Sequence, residues 1–157
     1  MTNIDTKNVV ENLIETFLYA WKISIELREK GLTKEIKLDN TPVSNGDLEV
    51  NKIITKKIRA LTPDIPIVSE ETSENKSKND LTNFWLVDPI DGTYDYMNNL
   101  EEFTINAGLI IKKKPVAGLI YAPAKDRMFY SYGENFAYEL INKKMSKLNC
   151  SKNFKKG

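Results

Sequence analysis

The chain has 157 residues, 41% of them hydrophobic and 29% charged, and its 23 basic side chains almost balance its 22 acidic ones. This length suits one domain with its own core, and the charge balance gives no field that would attract a nucleic acid polymer. The absence of histidine and the single cysteine, Cys150, exclude imidazole-based triads, imidazole-ligated zinc and an internal disulfide within these residues. Hydrolytic chemistry would therefore rest on carboxylates, hydroxyls and hard metal ions.

The sequence also carries no strong membrane signal. It has no run of about 18 apolar residues, and acids interrupt the apolar positions of residues 1–30. We therefore expect neither a membrane span nor a signal peptide. The predicted location is the cytoplasm, with peripheral association with the inner membrane left open.

Two amphipathic helices are predicted in the first part of the chain. From Asn8 to Lys30 apolar residues recur at steps of three and four, and a glycine ends the run. The same spacing returns from Leu48 to Leu61 and stops before a proline. Either Ser44 or Asn45 is placed to cap this second helix, with Asp47 in its first turn.

After the helices the hydrophobic pattern changes to short strands separated by turn residues. The segment 73–80, SENKSKND, is predicted to be a polar, mobile loop. Helices followed by hairpin-linked strands indicate an α+β domain over residues 1–142, with a basic tail over residues 143–157. The predicted strands are Ile65–Ser69, Phe84–Val87, Phe103–Ile111, Val116–Tyr121, Met128–Tyr132 and Phe136–Ile141.

Acidic residues follow apolar segments at three separate places. Asp47 follows TPVSNG, Glu70 and Glu71 follow PIVS, and Asp88 and Asp91 lie in DPIDGT. Each has a structural explanation on its own: a helix N-terminal acid, a solvated loop and an Asp-Pro turn. Carboxylates that converge at the ends of strands are, however, the ligands that Mg²⁺ prefers, so together they predict a metal site.

The DPIDGT segment supplies metal ligands and a phosphate cradle at once. Pro89 fixes the backbone between Asp88 and Ile90, and Gly92 and Thr93 offer backbone N–H groups to a phosphate. Haloacid-dehalogenase-type phosphatases also use an aspartate pair before a threonine, but with the acids two residues apart instead of three. The spacing here favours a metal-held water over a covalent aspartyl-phosphate, and the absence of a P-loop gives no support to an NTPase.

Five segments in this order resemble the inositol monophosphatase superfamily of lithium-sensitive, Mg²⁺-dependent phosphatases: KLDNTPVSNGD, LTPDIPIVSEE, FWLVDPIDGTYDYM, EFTINAGLI and AGLIYAP. The resemblance covers residues 10–150 and is strongest to the bacterial 3′(2′),5′-bisphosphate nucleotidases. It implies the amino-terminal α/β sandwich half of that fold, with two long helices packed on a largely antiparallel sheet. The implied reaction converts 3′-phosphoadenosine 5′-phosphate into AMP and phosphate.

The resemblance also implies the metal site. Glu70, Asp88, Asp91 and the Ile90 carbonyl would bind Mg²⁺, and Glu71 would lie behind these ligands. Intact members of the family hold two or three ions, and fewer are expected here.

The catalytic residues implied by the resemblance are Asp47, Thr93 and Glu70. Asp47 and the Thr93 hydroxyl would orient or deprotonate the attacking water. The backbone of Gly92 and Thr93 would bind the phosphate of a small phosphorylated substrate.

One departure from the family pattern is the missing tryptophan-aspartate motif, since Trp21 precedes Lys22 and Trp85 precedes Leu86. We therefore expect the carboxy-terminal lobe to be absent, metal binding to be weak and turnover to be low or nil. Partners would then be a second copy, forming a homodimer, or a complementing lobe. The alternatives are an inositol monophosphatase-type sugar phosphatase, with fructose 1,6-bisphosphate a further candidate substrate, and a non-catalytic metal- or phosphate-binding module.

Overall fold

The computed structural model of the chain describes residues 4–37, 40–72 and 80–149. The helices are α1 (Thr6–Lys30), α2 (Asn45–Leu61) and α3 (Thr93–Met97), with a 3₁₀ turn at Pro123–Lys125. The strands are β1 (Lys34–Ile36), β2 (Pro42–Ser44), β3 (Ile67–Ser69), β4 (Phe84–Asp91), β5 (Thr104–Ile111), β6 (Lys114–Ala122), β7 (Arg127–Ser131), β8 (Ala137–Ile141) and β9 (Lys144–Lys147).

The two long helices begin at side-chain caps, as their sequences predict. The Asp5 carboxylate accepts a hydrogen bond from the Asn8 N–H at 3.0 Å at the start of α1. Ser44 caps α2 in a reciprocal capping box with Asp47, which fixes the entry to this helix. Both predicted helices are therefore confirmed, and Ser44, not Asn45, is the cap.

The main sheet has seven strands in the order β3-β4-β5-β6-β7-β8-β9. Only the β3–β4 pair is parallel among the described strands, and the other five pairs are antiparallel. α1 and α2 pack together and cover one face of the sheet. The predicted α+β class, with two long helices on a largely antiparallel sheet, is confirmed.

The core lies between the helix pair and this face of the sheet. Trp85 of β4 is fully buried, and its indole N–H donates a hydrogen bond to the Thr62 hydroxyl at 3.0 Å. This bond ties the end of α2 to the strand that carries the aspartates. Fully buried residues of the core include Val10, Leu13, Phe17, Ala20, Val50, Ile54, Ile58, Ile105 and Leu109.

The structure differs from the sequence prediction at several segments. β4 continues through Asp88 to Asp91, with a register shift against β5 between these two residues, instead of ending before the acids. The short β1–β2 ribbon was not predicted, and neither was β9, which starts inside the stretch treated as a basic tail. Most of the predicted polar loop 73–80, and Cys150 with the last seven residues, lie outside the described residues.

Within residues 4–37, 40–72 and 80–149, no helix combines the length and the apolar character needed to cross a bilayer.

Candidate functional site

Asp47 and Thr93 meet at the centre of the site. The Thr93 hydroxyl lies 2.9 Å from Asp47 Oδ1 and 3.0 Å from the Ile90 carbonyl oxygen. A hydroxyl has one hydrogen, and the carboxylate is the stronger acceptor, so the proton is directed to Asp47. This leaves the lone pairs of the Thr93 oxygen able to accept a hydrogen bond from another group.

Asp47 is fully buried and its second oxygen is occupied by the helix cap. Oδ2 accepts hydrogen bonds from the Ser44 N–H at 2.8 Å and from the Ser44 hydroxyl at 2.5 Å. A buried carboxylate with three donors is held in one orientation. Asp47 is therefore the helix N-terminal acid that the sequence predicts, while its other oxygen contacts Thr93.

Gly92 allows the backbone turn that places Thr93 beside Asp47. Its φ of +93° is in the left-handed region, and a Cβ there would lie 2.7 Å from the Glu102 carbonyl oxygen. Only glycine meets both demands, so the turn from β4 into α3 requires this residue. The turn makes Thr93 the first residue of α3.

Tyr96 anchors α3 to the long helices. Its fully buried side chain donates a hydrogen bond through the hydroxyl to the Ser24 carbonyl oxygen at 2.6 Å. The Arg28 guanidinium lies 5.5 Å from the centre of the Tyr96 ring, and a Cβ at Gly46 would lie 2.3 Å from the Tyr96 hydroxyl. The partners of Tyr96 do not follow from the sequence, because only the fold brings these three segments together.

Asp88 is the acid with the most perturbed environment. Burial, then the charges of Glu70 and Asp91, raise its pKa to about 7. Its Oδ1 atom is buried with no hydrogen-bond partner. Such an atom is costly unless a positive group meets it, so this oxygen suits a cation.

Lys37, which follows β1, places a positive charge beside the two glutamates. Its ammonium group lies 2.8 Å from a carboxylate oxygen of Glu71 and 3.5 Å from one of Glu70. Burial raises the pKa of Glu71, and the pair with Lys37 opposes that rise. Burial would lower the pKa of Lys37, but its contacts with the two carboxylates raise it above the usual value. The sequence analysis did not single out this lysine, which lies in an ordinary polar loop.

The structure brings some of the predicted site residues together and not others. Asp47, Thr93 and the Ile90 carbonyl are in direct contact. Glu70 and Asp91 act on Asp88 through their charges, but in the part of the chain that the structure describes no three carboxylate or other ligating side chains converge into a ready metal site. The donors present are all hard oxygens, and with the unpartnered Asp88 oxygen they fit Mg²⁺ in type.

A groove of about 1000 Å³ runs from the aspartates along the sheet face opposite the helices. Leu86 and Ile120 on this face remain 53% and 50% exposed, which is unusual for side chains in the middle of a sheet. Other residues that line the groove are Asp88, Asp91, Asn106, Gly108, Gly118 and Phe129.

The fold and the site define an α+β domain with an oxygen-rich, acidic centre where β4 turns into a short helix. The model of the inositol monophosphatase family matches residues 1–154, and the chain belongs to this family.

The curated relatives that it matches include bacterial 3′(2′),5′-bisphosphate nucleotidases named CysQ. The protein from Aggregatibacter actinomycetemcomitans is 34% identical over 136 residues, which cover 85% of this chain and 51% of the relative. The protein from Escherichia coli K12 is 39% identical over 104 residues, covering 66% of this chain and 42% of the relative. The chain thus spans about half the length of the curated relatives it matches.

Solved structures agree on the fold. CysQ from Bacteroides thetaiotaomicron matches with a TM-score of 0.64 and 25% identity, over 88% of this chain and 50% of that one. The IMPase of Thermotoga maritima matches with a TM-score of 0.75 and 23% identity, over 92% of this chain and 54% of that one.

Proposed function

We propose that the chain carries the metal- and phosphate-binding half of a Mg²⁺-dependent phosphomonoesterase that converts 3′-phosphoadenosine 5′-phosphate into AMP and phosphate. The observation that carries this proposal is the Thr93–Asp47 hydrogen bond of 2.9 Å, next to the strand that holds Asp88 and its unpartnered oxygen. The nucleotidase branch is supported by the names of the curated relatives at 34–39% identity.

Glu70, Asp88, Asp91 and the Ile90 carbonyl would hold the metal. When bound there, Mg²⁺ supplies positive charge to the phosphate and to the leaving oxygen. The buried Asp88 Oδ1 atom, which accepts no hydrogen bond, supports this role because a cation would give it a partner. Lys37 pairs with Glu71 at 2.8 Å, which supports a positioning role for Glu71 instead of direct metal binding.

Thr93 and Asp47 would handle the proton of the attacking water. The water donates one hydrogen to the Thr93 oxygen while the Thr93 hydrogen passes to Asp47 Oδ1. The water oxygen forms a bond to phosphorus as the ester P–O bond opposite it breaks, so the configuration at phosphorus inverts. The leaving oxygen takes a proton from solvent.

The backbone N–H groups at the start of α3 would hold the phosphate. Gly92 supplies the positive φ, +93°, that lets β4 turn into α3 at this point. The geometry of the turn supports the predicted role of Gly92 and Thr93 in phosphate binding.

The decisive experiment measures phosphate release from 3′-phosphoadenosine 5′-phosphate and from inositol 1-phosphate while Mg²⁺ is titrated into the purified chain. We expect low release at best, abolished by Asp88→Asn and unchanged in the exposed control Asp64→Asn. Preference for inositol 1-phosphate would move the assignment to the sugar phosphatase alternative. Measurable release that is equal in wild type and Asp88→Asn would contradict the proposed site.

The non-catalytic alternative, a metal- or phosphate-binding module, is favoured by the coverage of the relatives, because the chain spans only 51% of the one from Aggregatibacter actinomycetemcomitans. Calorimetric titration with Mn²⁺ separates the two functions. Binding that Asp88→Asn weakens, without any phosphate release, would support the module.

The uncovered sheet face also requires a partner in this proposal. We propose as its occupant a segment equivalent to the half of the relatives that this chain does not span. The exposed Leu86 and Ile120 would become buried there, which is the expected behaviour of a large apolar patch. Sedimentation of the purified chain tests this: a monomer that gains activity from an added second lobe supports the proposal, and a stable homodimer contradicts it.

The cytoplasmic location predicted from the sequence is tested by fractionation of cells.

A further inference from the structure

Asn106 of β5 lies directly across from Asp88 of β4. The two residues are antiparallel partners in the sheet, and the neighbouring pair further along is Asp91 with Thr104. Cross-strand partners project to the same face, with Cβ atoms about 5 Å apart. The residues that flank Asn106, Ile105 and Ala107, are buried on the helix side, so Asn106 faces the groove with Asp88.

The hydrogen bonds of Asn106 leave its oxygen without a partner. The amide nitrogen donates to the Thr104 hydroxyl at 3.0 Å, whereas Oδ1 is buried and accepts nothing. Among the described residues, Asn106 Oδ1 and Asp88 Oδ1 are the two buried side-chain atoms in this condition. Because the two oxygens belong to cross-strand partners, we infer that one feature of the site explains why both lack a hydrogen bond.

We propose that Asn106 Oδ1 is an additional, uncharged oxygen of the cation site, acting beside Asp88 on a hard divalent cation or on a water that the cation holds. This inference rests on the proposed function. A carboxamide oxygen is an accepted ligand for such cations, and it adds a donor atom without adding a charge. A further carboxylate would add a negative charge beside Glu70, Asp88 and Asp91, which already repel one another.

The contact with Thr104 explains how the amide would be oriented. By holding the nitrogen, the hydroxyl fixes which end of the amide remains available. Such outer contacts orient metal ligands in general, and their loss weakens metal binding by about 10- to 100-fold. The same bond makes Thr104 a positioning residue for Asn106.

A rival arrangement rotates the amide by half a turn. The nitrogen would then donate to Asp88 Oδ1, and the Thr104 hydroxyl would donate to the amide oxygen. Both oxygens would then have hydrogen-bond partners without a cation, and Asn106 would stabilise the metal-free protein. The two arrangements differ in what Asn106→Ala does when no metal is present.

The experiment uses the full 157-residue chain and measures Mn²⁺ affinity by calorimetry together with the urea midpoint of unfolding in EDTA. We expect Asn106→Ala to lower Mn²⁺ affinity at least about tenfold and to leave the metal-free midpoint unchanged or higher. Asn12→Ala, on the exposed surface of α1, is the control and should change neither quantity.

The other outcomes are distinguishable. Unchanged Mn²⁺ affinity in Asn106→Ala, or a lowered metal-free midpoint, overturns the role of Asn106 and leaves the proposed function standing. Wild-type protein that binds no Mn²⁺, or binds it equally well after Asp88→Asn, overturns the proposed metal site and this inference with it.

Discussion

The contact between Gly46 and Tyr96 makes a strong prediction about Gly46→Ala. A Cβ at position 46 would lie 2.3 Å from the Tyr96 hydroxyl oxygen and 2.7 Å from Cε1, which is roughly 1 Å short of an ordinary contact at 3.4 Å. The ring cannot turn away freely, because it is fully buried and its hydroxyl is bonded to the Ser24 carbonyl. Either α2 or α3 therefore has to move.

The expected cost follows from two opposing effects. Overpacking of this kind destabilises a protein by about 1–3 kcal/mol, whereas alanine in a helix is better than glycine by up to about 1 kcal/mol. We expect Gly46→Ala to lower the free energy of unfolding by about 1–2 kcal/mol. Phosphate release should fall as well, because a shift of roughly 1 Å would stretch the 2.9 Å contact between Thr93 and Asp47 beyond hydrogen-bond distance.

The assay is urea unfolding followed by tryptophan fluorescence, with Gly46→Ala made in three backgrounds. The cost should be largest with Tyr96, smaller with Tyr96→Phe, and reversed with Tyr96→Leu, where alanine should stabilise by up to about 1 kcal/mol. Gly108→Ala is the control, since its Cβ would enter open space and should cost nothing. An equal effect of Gly46→Ala in all three backgrounds would refute the steric argument.

Three further substitutions test the site. Thr93→Val should reduce any phosphate release by about 10²- to 10⁴-fold, because the proton path to Asp47 is lost. Gly92→Ala should lower the free energy of unfolding by at least about 2 kcal/mol in urea unfolding, since φ is +93° and the Cβ would lie 2.7 Å from the Glu102 carbonyl oxygen. Ser44→Ala should lower the free energy of unfolding by about 0.5–2 kcal/mol, because the helix cap is lost. Phosphate release, measured at equal folded fraction, should change less than in Thr93→Val.

Two of these, Thr93→Val and Gly92→Ala, have a matched control. Thr16→Val on α1 should not affect release. Gly133→Ala shares a positive φ, +125°, but its nearest neighbour would be 3.7 Å away, so it should cost less than Gly92→Ala. Equal losses in Gly92→Ala and Gly133→Ala would mean that the close approach at Gly92 has no effect, and normal release from Thr93→Val would remove Thr93 from the proton path.

Local signals account for what the sequence predicted correctly. The helical spacing of apolar residues and the Ser44 cap determined α1 and α2, and alternation with turn residues determined most strands, because these features act over a few residues. β1, β2 and β9 carry weak signals: β1 and β9 are exposed at every position and hold lysines. Their pairing depends on neighbouring strands, which a sequence pattern of three or four residues does not encode.

The segments that carry the candidate acids stand out in the sequence, whereas the residues that lie beside those acids do not. Asp47, Asp88 and Thr93 stand in recognisable segments, whereas Asn106 and Lys37 look like an ordinary strand residue and an ordinary loop lysine. Their relevance arises from the register that sets Asn106 opposite Asp88 and from the ribbon that carries Lys37 to Glu71. Contacts between residues far apart in the chain therefore decide the electrostatics of this centre.

Asp47 illustrates why neither the sequence nor a single substitution assigns one role to a residue. One of its oxygens completes the cap of α2 with Ser44, and the other receives the Thr93 hydroxyl. Removing the carboxylate would therefore lower stability and chemistry together, and such a result would fit both interpretations. Ser44→Ala acts on the first oxygen and Thr93→Val on the second, so the contrast between them separates the cap from the proton path. The cap orients the carboxylate that faces Thr93. The stability of the first turn of α2 therefore also affects the geometry of the site.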